Sequence, residues 1–215
     1  MKKIRVSKDG PYIVSGNIPL YKQTIEFDEA GQSLKWSKPK PIPHEETYRL
    51  CRCGKSKNMP FCDSSHMDGF NGIESTETSG YQHRAINYNG PKYTLKDDES
   101  LCASARFCDR AGTVWELINH EDQESTKILK EEVANCPSGR LVLVDEKGRE
   151  AEQKLDESIT ITHDPATNNP GPVWVKGCIE IESQDGEIYE KRNRVTLCRC
   201  GKSKNKPFCD GSHMK

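Results

Sequence analysis

Three cysteines and one histidine occur twice in this chain with the same spacing. They lie in CRCGKSKNMPFCDSSH, residues 51–66, and in CRCGKSKNKPFCDGSH, residues 198–213. The first quartet consists of Cys51, Cys53, Cys62 and His66, and the second quartet consists of Cys198, Cys200, Cys209 and His213. Thiolate sulfur and imidazole nitrogen bind zinc ions and iron–sulfur clusters. The repeat therefore predicts two metal centres of the same kind.

The spacing within a quartet indicates how its ligands converge. Cys51 and Cys53 are separated by one residue, and in an extended backbone such side chains share one face, ~6.5 Å apart. Cys62 and His66 are four residues apart, which on a helix places them one turn apart on one face. We therefore expect one compact site per copy, built from an extended pair and a helical pair.

Spacing alone leaves the metal open. Three thiolates and one imidazole form a legitimate structural zinc set. Zinc motifs usually begin with two cysteines two to four residues apart, however, and here a single residue separates them. On this ground an iron–sulfur cluster and a zinc ion are equal alternatives. With zinc, the protein would be a structural or interaction module without redox activity.

The composition narrows the class of protein. The chain has 215 residues, 10 cysteines and 33% hydrophobic residues, with a mean hydropathy of -0.84. Small domains with thin cores often need a metal for stability. The N-terminus lacks the apolar segment of a secretory signal, and no run reaches the ~20 apolar residues of a membrane-spanning helix. We therefore expect a cytoplasmic protein that does not bind membranes, and the net charge of -1 does not favour nucleic-acid binding.

The repeat extends upstream of the ligands. GPYIVSGNIPL, residues 10–20, aligns with GPVWVKGCIEI, residues 171–181. Alternating apolar residues predict a strand in each, with a bend at Gly16 or Gly177. TYRL, residues 47–50, and RVTL, residues 194–197, predict a further strand before each quartet.

The segment between the copies, residues 76–150, has a different character and is called the insert below. Strands are predicted in KYTLKDDE (92–99), VWELINH (114–120) and RLVLVDEKG (140–148). ESTKILKEEVANC (124–136) predicts an amphipathic helix capped by Ser125 or Thr126. Outside the insert, the prolines of LKWSKPKPIPHEE (34–46) predict a loop, and residues 151–169 predict a connection with one short strand, ITIT.

The residues around the ligands form a recognisable pattern, C-x-C-x2-S-x3-P-x-C-D-G-S-H. The second copy matches it throughout, whereas the first has Ser64 in place of the glycine. The chain resembles the CDGSH iron–sulfur domain family, to which mitoNEET belongs. The resemblance implies a [2Fe–2S] cluster in each copy, with the two neighbouring cysteines on one iron and the Cys/His pair on the other. It favours iron–sulfur over zinc.

The insert carries three more cysteines, Cys102, Cys108 and Cys136. A single-cluster ferredoxin supplies C-x2-C-x2-C and a distant Cys-Pro. Here Ala105 stands at the middle position, but the segment resembles the divergent single-cluster ferredoxin domains often fused to CDGSH modules. We expect a strand, helix, strand, helix, strand order. Three thiolates could hold a [3Fe–4S] cluster, or a [4Fe–4S] cluster with a fourth ligand from elsewhere; alternatively, the cysteines are buried apolar residues without a cluster.

These observations predict an α+β protein of three domains. Residues 1–75 form the first CDGSH-type [2Fe–2S] domain, residues 76–150 a ferredoxin-like domain, and residues 151–215 a linker with the second CDGSH-type [2Fe–2S] domain. In mitoNEET-like proteins two protomers pair their strands around two clusters. The tandem copies therefore imply a monomer in which two small β-rich domains form an internal pseudo-dimer.

The predicted function is electron transfer or cluster donation, with a redox partner protein or an apo iron–sulfur acceptor. Replacing one thiolate by a neutral imidazole makes the cluster less negative, so its potential should exceed the ~-400 mV of all-Cys plant-type ferredoxins. Only neutral imidazole binds metal, so mild acid should release the cluster. The sequence shows no nucleophile–base pair, phosphate loop or carboxylate pair, so no enzymatic activity is expected.

The remaining polar candidates receive weaker roles. Cys178 aligns with Asn17 in the repeat strand and is expected to be a packed or partly exposed thiol. Four histidines without cysteines at motif spacing are assigned surface or hydrogen-bonding roles: His44, His83, His120 and His163. Basic residues crowd both motifs, either as solvated charge or as a rim that steers an acidic partner: Arg52, Lys55, Lys57, Arg199, Lys202, Lys204 and Lys206.

Overall fold

The fold is mixed α and β, with many short strands and few helices. The computed structural model describes residues 1–167 and 169–215. Within these residues the strands are β1 (Lys3–Val6), β2 (Tyr12–Ser15), β3 (Leu20–Phe27), β4 (Ser33–Trp36), β5 (Lys40–Pro41), β6 (Tyr48–Leu50), β7 (Ile86–Asn89), β8 (Tyr93–Asp97), β9 (Leu141–Asp145), β10 (Ser158–Asp164), β11 (Asn169–Lys176), β12 (Glu180–Glu182) and β13 (Arg194–Leu197). The helices are α1 (Tyr81–Arg84), α2 (Val114–Leu117) and α3 (Gln123–Asn135). The predicted α+β class is confirmed.

The two copies exchange strands. One sheet has the order β12-β1-β2-β6, and another has the order β13-β11-β10-β3-β4, with β5 also paired to β3. In the first sheet β12, from the second copy, runs parallel to β1 and places Ile181 opposite Ile4. In the second sheet β3, from the first copy, runs parallel to β10 and places Lys22 opposite Ile161. Each copy thus supplies a strand to the sheet of the other.

A single apolar core joins the copies. Side chains of both copies contribute fully buried residues to it, including Ile4, Val14, Ile18, Ile159, Val173 and Leu197. Burying such side chains stabilises each by about 1.5–3 kcal/mol relative to exposure. Since neither copy provides this core alone, the two repeats stabilise each other.

The bends predicted at the repeat glycines are confirmed. Gly16 has φ 88° and Gly177 has φ 81°, a backbone region that favours glycine. A Cβ on Gly177 would also lie 2.5 Å from the backbone nitrogen of Glu157, so the neighbouring chain leaves no room for a side chain. Cys178 lies in this bend with φ 60° and not in a strand as expected, and its side chain is exposed.

The insert contains the antiparallel sheet β7-β8-β9 covered by helices. Leu141 and Leu143 of β9 pack in the core of the insert, whereas Val142 and Val144 reach the core shared by the two copies. Alternate residues of a strand point to opposite faces, so β9 connects the two cores. This double burial explains why RLVLV is apolar without alternation.

The predicted element order of the insert is wrong. VWELINH contains helix α2 instead of a strand, so two strands are followed by two helices and a third strand. The Thr113 side chain accepts from the Glu116 backbone nitrogen, and the Glu116 carboxylate accepts in return from Thr113. This capping box starts a helix that the apolar residues alone do not reveal.

Two further expectations need correction. Helix α3 begins one residue earlier than expected because Asp122, not Ser125 or Thr126, caps it by accepting from the Ser125 nitrogen at 2.8 Å. The segment expected to be a loop, residues 34–46, contains most of β4 and all of β5, whose Pro41 lies at a sheet edge where no ladder donor is needed. The strand predicted at ITIT is confirmed as part of β10, which lies between β11 and β3.

Candidate metal centres

Each quartet lies in a loop that folds back on the strand preceding it. The Cys51 nitrogen donates to Pro60 O at 2.8 Å, and the Cys62 nitrogen donates to Arg49 O at 2.9 Å. The second copy repeats both bonds, from Cys198 to Pro207 O and from Cys209 to Thr196 O, each at 2.8 Å. These bonds bring the later ligands of each motif back to the earlier ones.

The helix expected between Cys62 and His66 does not form. A short 3-10 helix covers only Ser65–Met67 and follows Ser64, which has φ 74°. Asp63 Oδ1 accepts from the Ser65 nitrogen at 3.0 Å, and such local side-chain bonds compete with helix formation. The loop therefore brings the sulfur and the imidazole together without a helical turn.

Serine and aspartate stand at the same places in both motifs, and they make the same hydrogen bonds in both copies. Ser56 Oγ donates to Phe61 O at 2.6 Å, as Ser203 Oγ does to Phe208 O at 2.7 Å. Asp63 Oδ2 accepts from the Lys57 nitrogen at 2.8 Å, which bridges the two halves of the loop. These polar residues shape the loop and leave the ligand atoms free to bind.

The ligand atoms form two close pairs in each quartet. The sulfurs of Cys51 and Cys53 are 3.6 Å apart, and Cys62 Sγ lies 3.3 Å from Nδ1 of His66. In the second quartet the corresponding distances are 3.8 Å and 3.5 Å. Two sulfurs bound at ~2.3 Å to one tetrahedral metal would be ~3.8 Å apart. Each pair thus fits one metal ion.

The pairs do not merge into a site for a single ion. Among residues 1–167 and 169–215, no group of three or more His, Cys, Asp or Glu side chains is arranged to hold one metal ion. A structural zinc ion requires four ligands around one point.

Backbone amides and burial set the charge of the sulfurs. The Lys55 nitrogen donates to Cys53 Sγ at 3.4 Å, and the Gly211 nitrogen donates to Cys209 Sγ at 3.5 Å. Burial raises the pKa of both thiols nonetheless. A hydrogen bond from the Cys200 thiol, helped by backbone amides, lowers the pKa of Cys198 to about 6. Buried thiols of this kind need a cation before all of them can ionise.

Arginine side chains lie buried beside the quartets. Arg52 is 1% exposed, and its Nε and Nη1 have no hydrogen-bond partner among the described residues. Burial lowers the pKa of Arg199 to about 10, although the thiols of Cys51 and Cys200 favour its charged form. The expectation of solvated charge or a surface rim is therefore wrong for both arginines. Arg52 donates to Gly72 O, and Arg199 donates to Gly171 O at 2.9 Å, so among the described residues these buried cations have backbone partners and no carboxylate partner, which fits an anionic group bound nearby.

The position of these arginines is visible in the sequence, but their burial is not. Both arginines occupy the single position between the first two cysteines of a quartet, so each has a ligand residue directly before and after it in the sequence. Burial at that position follows from the turn of the loop, which the sequence pattern does not show.

The two loops contact each other directly. A Cβ on Gly54 would lie 2.8 Å from Cys200 O, and a Cβ on Gly201 would lie 2.7 Å from Cys53 O. The reciprocal contact requires glycine at both positions. Beside it is an open groove of about 860 Å³ whose lining includes Cys53, Cys200, Lys55, Lys202, Lys204 and Lys206. One cysteine from each quartet therefore borders the same basic groove.

The three insert cysteines lie in one region. Burial raises the pKa of Cys108 to about 12, with further contributions from the neighbouring thiols of Cys136 and Cys102. Cys136 ends helix α3, and its carbonyl accepts from Arg194 Nη1 at 2.8 Å. The thiols of Cys102 and Cys136 are thus near enough to Cys108 to raise its pKa, whereas Ala105 cannot act as a ligand.

The other candidate histidines do not belong to the metal-ligand pairs, although His163 lines the same small cavity as His213. His44 packs on Tyr48 with ring centroids 4.7 Å apart, and His120 lies 3.9 Å from Asp122. His83 is in α1 and His163 is in β10. None of the helices in the described part of the chain is long and apolar enough to cross a membrane.

Comparison with known families agrees with the two motifs. A family described as "Iron-binding zinc finger CDGSH type" matches residues 9–67 and 170–214. A second family, "Divergent 4Fe-4S mono-cluster", matches residues 88–146 between them.

Among curated proteins, the chain is similar to "CDGSH iron-sulfur domain-containing protein 3, mitochondrial" of Mus musculus. The identity is 71% over 21 residues, which is 10% of this chain and 15% of that protein. No solved structure matches. Two CDGSH modules thus flank a divergent single-cluster segment. The chain belongs to the CDGSH iron–sulfur family.

Proposed function

We propose that each quartet binds one [2Fe–2S] cluster, with the two neighbouring cysteines on one iron and the Cys/His pair on the other. The observation that carries this assignment is the division of each quartet into two pairs, 3.3–3.6 Å apart in the first copy and 3.5–3.8 Å in the second. A two-iron centre needs one pair per iron. Zinc, the alternative, would require the four ligands to converge.

The surroundings of the quartets support an anionic cluster. Arg52, which stands between Cys51 and Cys53 in the sequence, carries a buried guanidinium, and negative charge nearby would compensate its Nε and Nη1, which lack partners among the described residues. Burial lowers the pKa of His213, so its imidazole stays neutral and able to bind metal over a wider pH range. When bound, the cluster supplies a site that accepts and returns one electron.

We propose further that the two copies form an internal pseudo-dimer. The reciprocal addition of β12 to β1 and of β3 to β10 supports this arrangement. So does the reciprocal contact of Gly54 and Gly201. A single chain would then hold both clusters in the fixed relation that separate protomers must achieve by association.

The favoured activity is the transfer of electrons or clusters to another protein, without catalysis of a chemical conversion. Lysines line the groove beside Cys53 and Cys200, so an acidic partner would be attracted to the surface that borders both quartets. The partner would be a redox protein or an apo iron–sulfur protein. The insert is proposed to add a third centre at Cys102, Cys108 and Cys136, of the [3Fe–4S] or [4Fe–4S] type.

Anaerobically purified protein tests this proposal by metal analysis and visible absorption. We expect at least four irons and four sulfides per chain, and about seven irons with a three-iron insert centre. Iron–sulfur charge transfer should give brown-red absorption between roughly 400 and 550 nm. A colourless protein with two zinc ions per chain would support the structural alternative instead.

A further inference from the structure

The Cys/His pairs of the two quartets differ in exposure although the motif sequences are nearly identical, whereas in the other pair Cys53 is buried and Cys200 is partly exposed. In the second quartet Cys209 is 3% exposed and His213 is 8% exposed. Their counterparts in the first quartet, Cys62 and His66, are partly exposed. Since the motifs match, the difference must come from what lies against each loop.

The second quartet is covered by residues 102–106 of the insert, called the insert loop here. A Cβ on Gly211 would lie 2.4 Å from Ser104 Oγ and 3.1 Å from Cys102 O. The equivalent residue in the first copy is Ser64, whose side chain is exposed. Both positions have positive φ, 79° and 74°, so backbone conformation does not explain the difference. Glycine stands at 211 because the insert loop occupies the space of a side chain.

Polar contacts hold the insert loop in place. Arg106 Nη2 lies 2.8 Å from Oδ2 of Asp164, a carboxylate that is 7% exposed. Asn205 Nδ2, within the second motif, donates to Ser100 O at 3.0 Å. The cover is therefore anchored on both sides of the second quartet.

We infer that the two quartets have different roles: the first exchanges its cluster rapidly with an acceptor protein, and the second releases its cluster only slowly because the insert loop covers it. This inference rests on the proposed [2Fe–2S] clusters. The recipient is an apo iron–sulfur protein whose cysteine thiols must reach the ligand atoms. The partly exposed Cys62 and His66 allow that approach, and the insert loop hinders it at the buried Cys209 and His213.

The exchange is balanced in atoms and electrons. Three Fe–S bonds and one Fe–N bond to the first quartet break, and four Fe–S bonds to acceptor cysteines form. The two irons and two sulfides move together without a change of oxidation state. Protons from the acceptor thiols pass to the thiolates and the imidazole that are released, so no oxidant or reductant is required.

The test measures cluster transfer from the full, iron-loaded chain to an excess of plant-type apo-ferredoxin. Transfer should occur in two phases of equal amplitude from the two quartets, with rates at least tenfold apart. His66→Cys, which replaces a titratable ligand by thiolate, should suppress the fast phase. His213→Cys should instead suppress the slow phase, which comes from the second quartet. Paramagnetic resonance of the protein after the fast phase identifies the cluster that remains.

A second variant tests the cover itself. Arg106→Ala removes the anchor on Asp164 and should accelerate the slow phase several-fold, whereas Arg149→Ala removes an exposed pair with Asp145 and should not change it. Gly211→Ser, which gives the second copy the residue of the first, should act like Arg106→Ala. Transfer in one phase, or a fast phase removed by His213→Cys, would overturn the inference. Purified protein without iron and sulfide would overturn the proposed function as well.

Discussion

At the scale of single residues, the first ligand motif contains a buried positive charge that the sequence pattern does not reveal. Arg52 lies between two ligands and is 1% exposed. Its guanidinium is 5.3 Å from the Phe70 ring centroid and 5.7 Å from that of Tyr12, so aromatic faces and the ligand loop enclose it. A buried cation at this position favours the more negative, reduced state of a bound cluster.

Arg52→Gln should therefore lower the reduction potential of the first cluster, because a positive charge that stabilises the added electron is lost. We expect a decrease of about 60 mV, which corresponds to a tenfold change for a one-electron couple. Lys57→Gln, which removes an exposed charge screened by solvent, should shift the potential much less. A redox titration of both variants makes the comparison, and equal shifts would show that burial does not matter.

Glu132 gives a pH dependence that belongs to the insert. Burial raises the pKa of its carboxyl to about 7, although the Ala111 amide and Arg110 oppose the shift. The folded-state pKa thus exceeds the unfolded value of ~4.3. Stability from the protonated carboxyl is complete below the unfolded pKa and is lost as pH rises through 7.

The chain should accordingly lose about 1 kcal/mol of unfolding free energy between pH 6 and pH 8 from this group. Glu132→Gln should flatten that part of the profile, and Glu131→Gln, on an exposed neighbour, should not. Thermal unfolding of the iron-loaded protein across this range provides the measurement. If Glu132→Gln had the same pH dependence of stability as the unmodified chain, the Glu132 carboxyl would be ionised throughout this pH range.

At the scale of elements, strand β2 of the first copy supports the ligand loop of the second. Tyr12 is fully buried, and its hydroxyl lies 2.8 Å from Cys198 O and 3.1 Å from Pro207 O. Tyr48 is also buried, but its hydroxyl donates within the first copy, to Ile18 O at 2.9 Å. Tyr12 therefore bonds to the other copy, whereas Tyr48 bonds within its own copy, so variants of the two can be compared.

Tyr12→Phe and Tyr48→Phe should each destabilise the chain by about 1–2 kcal/mol, since each leaves a buried carbonyl without a donor. Only Tyr12→Phe should also change the visible and paramagnetic spectra of the second cluster. Identical spectra for the two variants would show that the contact between copies is not transmitted to the ligands.

The elements also show which features the sequence could predict. The strands before each quartet can be predicted because the local pattern of residues determines them. The bends at Gly16 and Gly177 can be predicted because glycine favours the backbone conformation that they require. Helix α2 was missed because its capping box, Thr113 and Glu116, was outweighed by the β-type composition of VWELINH. The loop between Cys62 and His66 was missed because Asp63 forms a local turn that periodicity does not detect.

At the scale of the molecule, the exchanged strands make each copy dependent on the other. The repeat predicted that two modules would be related, but the pairing of β3 with β10 joins residues far apart in the chain, which no local pattern reveals. The insert loop over the second quartet likewise depends on a contact between residues far apart in the chain, because Ser104 and Gly211 meet only in the folded protein.

Separate fragments of residues 1–75 and 151–215 should therefore fail to form stable monomers that hold clusters. Each would expose an unpaired sheet edge and half of the shared core. Mixing the fragments should restore part of the cluster absorption. Fragments that each fold as monomers and hold a full cluster would contradict the pseudo-dimer.

Mössbauer spectroscopy of the chain loaded with ⁵⁷Fe tests the proposed [2Fe–2S] clusters, because it resolves iron by its ligands. The two ligand pairs predict two iron populations in equal amounts in the quartets, one bound by two cysteines and one by a cysteine and a histidine. Iron in the insert, where bound, would form a further population that Cys108→Ser reduces. A single iron environment in the quartets, or zinc in place of iron, would contradict the account.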